Sequence, residues 1–348
     1  MTEVPRFQEQ LPSSDNSYPR AMKNRFIYIV YLMCMLPFVG SAQQDFLAGQ
    51  TFVNPALVNP SLAAFNDNWE LGVMARNQWI GHENSPSTQI LSLSGTVGKP
   101  RSRRASSGRI RLNRETDFAG NKRLFHGVSL NLINDVVGAF GRMDAQLHWS
   151  PMVRLGRKVY AGVGPTLRYS RFQVNPERVD FLIANDQAWT NIQSTSLTND
   201  AIGINVDGVI FTPRAYLGVS LLDPLKASWI DDRGSQLLVD RGLQVTGGYN
   251  LRLNARWDLD AVLTNRYVQG TPLALDATAR MVYQDAVWLG AGYRATAAVS
   301  FTVGALLANR FRCSYAVERS TLSVSGQLGW SHEFYLSYVF PARSDLNF

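Results

Sequence analysis

The chain has 348 residues, 45% of them apolar, 18% charged and 11% aromatic, with a formal charge of +7. It is too apolar and aromatic for a disordered protein, and its two cysteines, Cys34 and Cys313, exclude a disulfide framework and a cysteine zinc site. Four scattered histidines, His82, His126, His148 and His332, show no HExxH or other metal-ligand spacing, so no metal or cofactor is expected.

Residues 1–42 read as an N-terminal extension and signal peptide. Met22, Lys23 and Arg25 precede an apolar run over 26–39, which Gly40-Ser41-Ala42 and a polar start at Gln43 follow. That succession is a secretory leader, and the run is shorter than the roughly 20 residues of a spanning helix. The polar stretch before Met22 points to Met22 as the translation start, which N-terminal sequencing would test. Cys34 sits inside the apolar run without small residues before it, which argues against lipid attachment there. Cleavage after Ala42 would remove four basic and three acidic residues, leaving +6 and the single thiol Cys313. Residues 43–68 carry Asn54-Pro55 and Asn59-Pro60, where proline fixes turns. This segment reads as a structural turn, a docking segment for a partner, or a plug in a barrel mouth.

From residue 69 onward the pattern is period two, the signature of half-buried strands. Fourteen segments are predicted: 69–80, 88–97, 124–133, 139–149, 159–172, 201–211, 215–222, 242–252, 257–266, 273–283, 286–294, 298–307, 309–317 and 332–340. In 139–149, Met143, Ala145, Leu147 and Trp149 oppose Arg142, Asp144, Gln146 and His148. In 332–340, His332, Phe334, Leu336, Tyr338 and Phe340 share one side. The stretch 286–308 could pass for a membrane helix, but Arg294, its glycines and the alternation of Val287, Leu289, Ala291 and Tyr293 predict two strands and a tight turn.

A soluble sandwich would also alternate, yet fourteen strands in one soluble sheet system is unusual. A leader plus an even number of such strands fits an all-β fold: an antiparallel transmembrane barrel over 69–340, apolar side to lipid and polar side to the lumen. Trp69 and Trp79 lie ten residues apart. At about 3.3 Å per residue and a tilt near 40° they span roughly 25 Å, the height of an outer-membrane apolar band. Closure also satisfies every backbone group, which lipid requires. Short connections at 212–214, 284–285 and 308 alternate with long ones at 173–200, 223–241 and 318–331, which places the former in the periplasm and the latter outside.

The exception is 98–123, a long insertion on the short-turn side. It holds Lys99, Arg101, Arg103, Arg104, Arg109, Arg111, Arg114, Lys122 and Arg123 against Glu115 and Asp117. It reads either as a solvated insertion or as an electrostatic surface for an acidic periplasmic partner or cell-wall polymer. Nucleic acid is excluded by compartment and by the lack of interleaved aromatics.

Glu70, Arg76 and Gln78 on the first strand face the lumen, as do Arg142, Asp144, His148, Asp258, Asp260, Asp276 and Arg280 on later ones. Opposed charges inside a barrel form a structural ladder, or else a conduction or binding path. Barrel hydrolases need Ser and His at one height on the outer face. His126 is outward among apolar residues at a strand end and His148 faces inward, so no catalytic residue is expected. Gly162/Gly164 and Gly290/Gly292 precede no helix and read as relief of crowding in a curved sheet. Cys313 behaves as a small apolar residue facing lipid.

Six pieces of the mature chain resemble the PorP/SprF family. Thr51-Phe-Val-Asn-Pro-Ala-Leu-Val-Asn-Pro60 is similar to its doubled Asn-Pro motif, and Arg76-Asn-Gln-Trp-Ile-Gly81 with Ser85-Pro-Ser-Thr-Gln89 to its RxQWxG…PxT hairpin. Asn134-Asp-Val-Val-Gly138 resembles its NDxxG turn. Gln269-Gly-Thr-Pro-Leu-Ala-Leu-Asp276 and Trp288-Leu-Gly-Ala-Gly-Tyr-Arg294 resemble its GxPxxxD and WxGxxYR signatures. Ser331-His-Glu-Phe-Tyr-Leu-Ser-Tyr-Val-Phe340 resembles its closing strand. The 98–123 insertion is longer than the family pattern. A tail, 341–348, follows Phe340, so Phe340 and Phe348 are both candidates for the barrel-assembly aromatic.

The resemblance implies an outer-membrane barrel of type IX secretion and gliding machinery. It would assist secretion or surface anchoring of large proteins and associate with periplasmic machinery components or peptidoglycan-associated proteins, besides outer-membrane lipid. The contacts expected to matter for partners are Asn54, Pro55, Asn59, Pro60, Arg76, Gln78, Trp79 and Gly81, with Arg101, Arg103, Arg104, Arg109 and Arg111. The competing reading is a solute channel whose selectivity the lumen charges set.

Overall fold

The computed structural model describes residues 49–65, 68–98, 124–156, 158–178, 198–224, 241–269, 271–295, 298–321 and 329–340. The expected leader, residues 99–123 of the basic insertion and the tail 341–348 lie outside the described residues. Fourteen strands run in chain order: β1 (Glu70–Asn77), β2 (Ser87–Val97), β3 (Leu124–Val137), β4 (Phe140–Arg154), β5 (Tyr160–Val174), β6 (Thr198–Phe211) and β7 (Ala215–Leu222). They continue as β8 (Gly242–Arg252), β9 (Trp257–Val268), β10 (Ala274–Tyr283), β11 (Val287–Arg294), β12 (Ala298–Leu307), β13 (Phe311–Ser320) and β14 (Ser331–Val339). Each pairs antiparallel with its sequence neighbours, and β1 pairs with β14 from Glu70↔Val339 to Asn77↔His332, which closes the barrel.

The alternation has its expected physical result. Along β1 the even positions are buried and the odd ones exposed, and Leu71, Val73, Leu91, Leu147, Leu289 and Phe334 all stand exposed on the outside. Outward aromatics gather at the short-turn end, where Trp257 meets Tyr283 at 4.7 Å, Phe311 meets Tyr338 at 5.1 Å and His126 stacks on Trp149 at 5.7 Å. An aromatic girdle of this kind suits a membrane interface.

Turn chemistry fixes the register. Gln284 and Asp285 both have positive φ, as do Ala308 and Asn309, the backbone that twists a two-residue hairpin correctly. Gly138 does the same between β3 and β4. Trp79, expected at the end of the first strand, instead sits in the β1–β2 turn with φ +52°. The β4–β5 ladder breaks between His148↔Thr166 and Met152↔Gly162, where Pro151 and Pro165 have no N–H to give. Gly164 permits the bend, since a Cβ there would collide with the Trp149 carbonyl oxygen.

The lumen is filled. Residues 49–65 thread it with two short 3₁₀ turns, Pro55–Leu57 and Pro60–Phe65. Each proline opens its turn, where its fixed φ suits the helix and its missing N–H costs nothing. The segment runs from Gly49, beside Arg76 and Glu333 near the long-loop ends of β1 and β14, to Phe65 at the short-turn end. There Phe65 meets Phe211 at 4.7 Å and Tyr216 at 5.1 Å, within a cluster of Leu62, Ala64, Phe125, Met152 and Tyr160. This corrects the simple rule of polar residues inward: at this mouth the inward side chains are large and apolar because they pack the plug.

Candidate functional site

The plug and its wall form the site. Asn59 caps the second 3₁₀ turn, its Oδ1 accepting from Ser61 N–H at 2.9 Å, while its Nδ2 donates to the Gly208 carbonyl at 3.3 Å. Asn54 makes no cap and spends its amide on Ser92 Oγ at 2.8 Å. Gln50 donates to the Glu333 carbonyl at 3.2 Å and accepts from Ser314, Thr51 pairs with Thr278 at 3.2 Å, and Gln244 donates to the Val58 carbonyl. Hydrogen bonds to the wall recur along the whole segment, as buried polar groups require.

A charged network grips the start of the plug. Arg76 donates to Glu333 at 3.0 Å and to Glu318 at 2.7 Å. Arg294 reaches Glu318 at 3.4 Å and Asp276 at 3.2 Å, and the Gly49 N–H donates to Glu333 Oε2 at 2.9 Å. Arg76, Asp276, Arg294 and Glu333 come from four of the six family-like motifs, on β1, β10, β11 and β14. Barrel closure brings them within hydrogen-bond range.

Two further groups lie nearer the short-turn end. Arg280 donates to Asp260 at 2.9 Å, Asn250 donates to the same carboxylate at 2.6 Å, and the Arg280 guanidinium lies 4.7 Å over the Phe52 ring of the plug. Arg312 pairs with Glu70 at 2.5 Å, and Glu70 also accepts from Ser337 at 2.6 Å and Tyr335 at 3.2 Å. Arg142 and Asp144 bridge each other along β4 at 2.7 Å, with Arg142 partly exposed at the long-loop mouth.

His148 holds the plug's middle. Its Nε2 lies 3.3 Å from Ser61 Oγ and its Nδ1 2.8 Å from Thr166 Oγ1, and Thr166 donates to Asp207. Asp207 Oδ2 is 3.6 Å from Nδ1. With the Thr166 proton given to Asp207, a neutral imidazole carries its proton on Nδ1 and donates to Thr166, and the one Ser61 hydroxyl proton goes either to Nε2 or to the Asp207 carbonyl 3.0 Å away. The trio resembles a nucleophile arrangement, but Ser61 and His148 are 0% and 1% exposed, so a substrate would have to displace the plug to arrive. Among the described residues no three His, Cys, Asp or Glu side chains are grouped as a metal ion would need.

The structure separates the residues expected to contact partners. Asn54, Asn59, Pro60 and Arg76 are buried in the lumen and Pro55 is half-buried there, and Asn54, Asn59 and Arg76 hydrogen-bond within the barrel. Gln78, Trp79 and Gly81 lie at the long-loop rim, where Trp79 N–H donates to Ser331 at 3.3 Å and Gly81 is exposed with φ +103°. Arg101, Arg103, Arg104, Arg109 and Arg111 lie outside the described residues. Sequence reading missed Gln50, Ser61, Asp207, Glu318 and Arg312. Inward parity marks Asp207 and Arg312 in their strands, and β13 and β6 run past the ends that alternation predicted, so Glu318 fell in an expected loop.

A family model described as type IX secretion system membrane protein PorP/SprF matches residues 40–338. Among curated protein sequences none matches the chain significantly. Solved structures with a similar barrel include the Acinetobacter baumannii outer membrane protein Omp33, 6% identical over 78% of this chain and 98% of that one, with a TM-score of 0.44. The CymD monoaromatic hydrocarbon channel is 9% identical over 87% and 95%, with a TM-score of 0.48. The Pseudomonas putida toluene transporter TodX is 11% identical over 87% and 96%, with a TM-score of 0.42. The family and the barrel together place the protein in the bacterial outer membrane.

Proposed function

We propose, because the chain belongs to the PorP/SprF family of type IX secretion system membrane proteins, that it acts as a plugged, non-enzymatic barrel in protein secretion and gliding machinery. In this reading it assists the secretion or surface anchoring of large proteins and docks periplasmic partners. The observation that carries it is the filled lumen. Inward polar side chains that would face water in an open pore, such as Ser92, Ser129, Thr246 and Asn250, are almost wholly buried. The plug satisfies Ser92 through the Asn54 amide, while Thr246 and Asn250 pair with Thr264 and Asp260 across the wall. A barrel sealed in this way has its rims left for work: Gln78, Trp79 and Gly81 outside, and the basic segment with Arg101, Arg103, Arg104, Arg109 and Arg111 toward the periplasm.

Two measurements test the proposal. Quantitative proteomics of the surface and medium should show that a clean deletion loses one or a few large proteins, or secreted proteins broadly. An unchanged profile sinks the secretion role. In planar bilayers the intact barrel should pass little current, and removal of residues 50–65 should open it. Steady conductance from the intact protein favours the solute channel instead.

A further inference from the structure

The outward wall carries a groove of about 670 Å³ across β14, β1, β2, β3, β4 and β5, a size typical of small-ligand sites. Two rows of paired outward residues line it. One row runs Phe334, Ala75, Gln89, Asn134 and Met143, and the other runs Val73, Leu91, Leu132, Ala145 and Tyr169. Ala75 and Ala145 are the low points between larger neighbours, which makes the wall concave there. Each row crosses four strand spacings, about 19 Å, against the roughly 15 Å of hydrocarbon in one bilayer leaflet.

We propose that this groove binds an acyl chain of an outer-leaflet membrane lipid as a fixed, one-per-barrel ligand. It lies toward the long-loop ends of its strands, the side that faces the cell exterior in barrels of this kind, and is continuous with the exposed apolar belt. Hydrophobicity alone does not favour it, because the bilayer is already apolar; packing and polar contacts must. An empty groove in hydrocarbon forfeits dispersion contacts along its length, which a single chain restores. Beside its apolar side chains the lining holds Asp144, which pairs with Arg142, the Tyr169 hydroxyl, which donates to Asp200 at 2.8 Å, and an amide pair, where Asn134 Nδ2 donates to Gln89 Oε1 at 2.6 Å and Gln89 Nε2 to Ser87 Oγ at 2.8 Å. Each amide has capacity beyond those bonds, and the ester, amide or hydroxyl groups at the head of a lipid chain match it. The inference rests on the outer-membrane location and not on the secretion role, so either can fail without the other.

The test uses the full-length barrel in nanodiscs containing a phospholipid with a photoactivatable acyl chain. Cross-links should concentrate on β1 to β4. They should fall about tenfold, 1.4 kcal/mol of differential binding, in Ala75→Trp, which fills the groove, and in the pair Gln89→Leu with Asn134→Leu. Ala261→Trp, an outward alanine on β9, controls for the added indole and for folding, and should label as the parent does. Cross-links spread evenly around the barrel, or unchanged by Ala75→Trp, overturn the proposal. So does a barrel that purifies as a dimer with this face shielded from label.

Discussion

Removing the Glu333 carboxylate tests the central clamp of the lumen. Glu333 is 2% exposed and accepts from Arg76 Nη1 at 3.0 Å and from the Gly49 N–H at 2.9 Å. Hydrogen bonds to a charged partner contribute about 1.5–3 kcal/mol each, against about 0.5–1.5 for neutral ones. In Glu333→Gln an amide oxygen in the place of Oε2 keeps both bonds at neutral strength, a loss of about 1–1.5 kcal/mol for each, and Arg76 keeps Glu318 at 2.7 Å. The expected loss is therefore about 2–3 kcal/mol, below the roughly 3–5 of a buried ion left with no partner. Arg76→Met should cost more, because both carboxylates lose their shared guanidinium and keep weaker partners, Glu333 the Gly49 N–H and Glu318 the Arg294 guanidinium at 3.4 Å. The double variant should cost less than the sum, with a coupling of about 1–3 kcal/mol. The assay is reversible urea unfolding of the barrel in liposomes, followed by tryptophan fluorescence and by gel mobility of the folded form. If Glu333→Gln falls within about 0.5 kcal/mol of the parent and the coupling is near zero, the clamp reasoning is wrong. The charges would then be available to a solute, and the channel reading would gain.

Three more outcomes follow from local geometry. Ala308→Gly should stabilise the barrel by about 1 kcal/mol in the same unfolding assay, because an L-residue is held at φ +49° in the β12–β13 turn. Gly164→Ala should lose about 1–3 kcal/mol or more and lower folded yield, since its methyl meets backbone and not a side-chain tip. Asn59→Ala should cost about 1–2 kcal/mol by removing the cap on Ser61. In that variant a cysteine placed at Thr51, buried in the parent, should react faster with a water-soluble thiol reagent than it does with Asn59 intact.

Much of the architecture was legible along the chain. A strand's side-chain period is two, so Met143, Leu147 and Trp149 opposing Asp144 and His148 declared both the strand and its faces, and two-residue turns such as 284–285 declared the hairpins. Fourteen of these segments with short and long connections in alternation amount to a barrel, because antiparallel neighbours need nothing but local turns to pair. The order of six short motifs was enough to indicate the family. Strand ends were less legible, since alternation fades where a strand leaves the membrane, and Glu318 was missed for that reason.

What the sequence could not state was the fate of the lumen. Asn54-Pro55 and Asn59-Pro60 mark turns wherever they lie, and nothing local distinguishes a turn on the surface from one inside a barrel. Likewise Arg76, Asp276, Arg294 and Glu333 are far apart in the chain and read as separate inward charges. Only closure of β1 onto β14 brings Arg76 beside Glu333, and only the threading of residues 49–65 turns that pair into a grip on the plug. Local chemistry determined the strands, their faces and the turns. Tertiary packing alone decided that their common interior is filled, because occupancy of a cavity depends on which distant segment satisfies its buried polar groups.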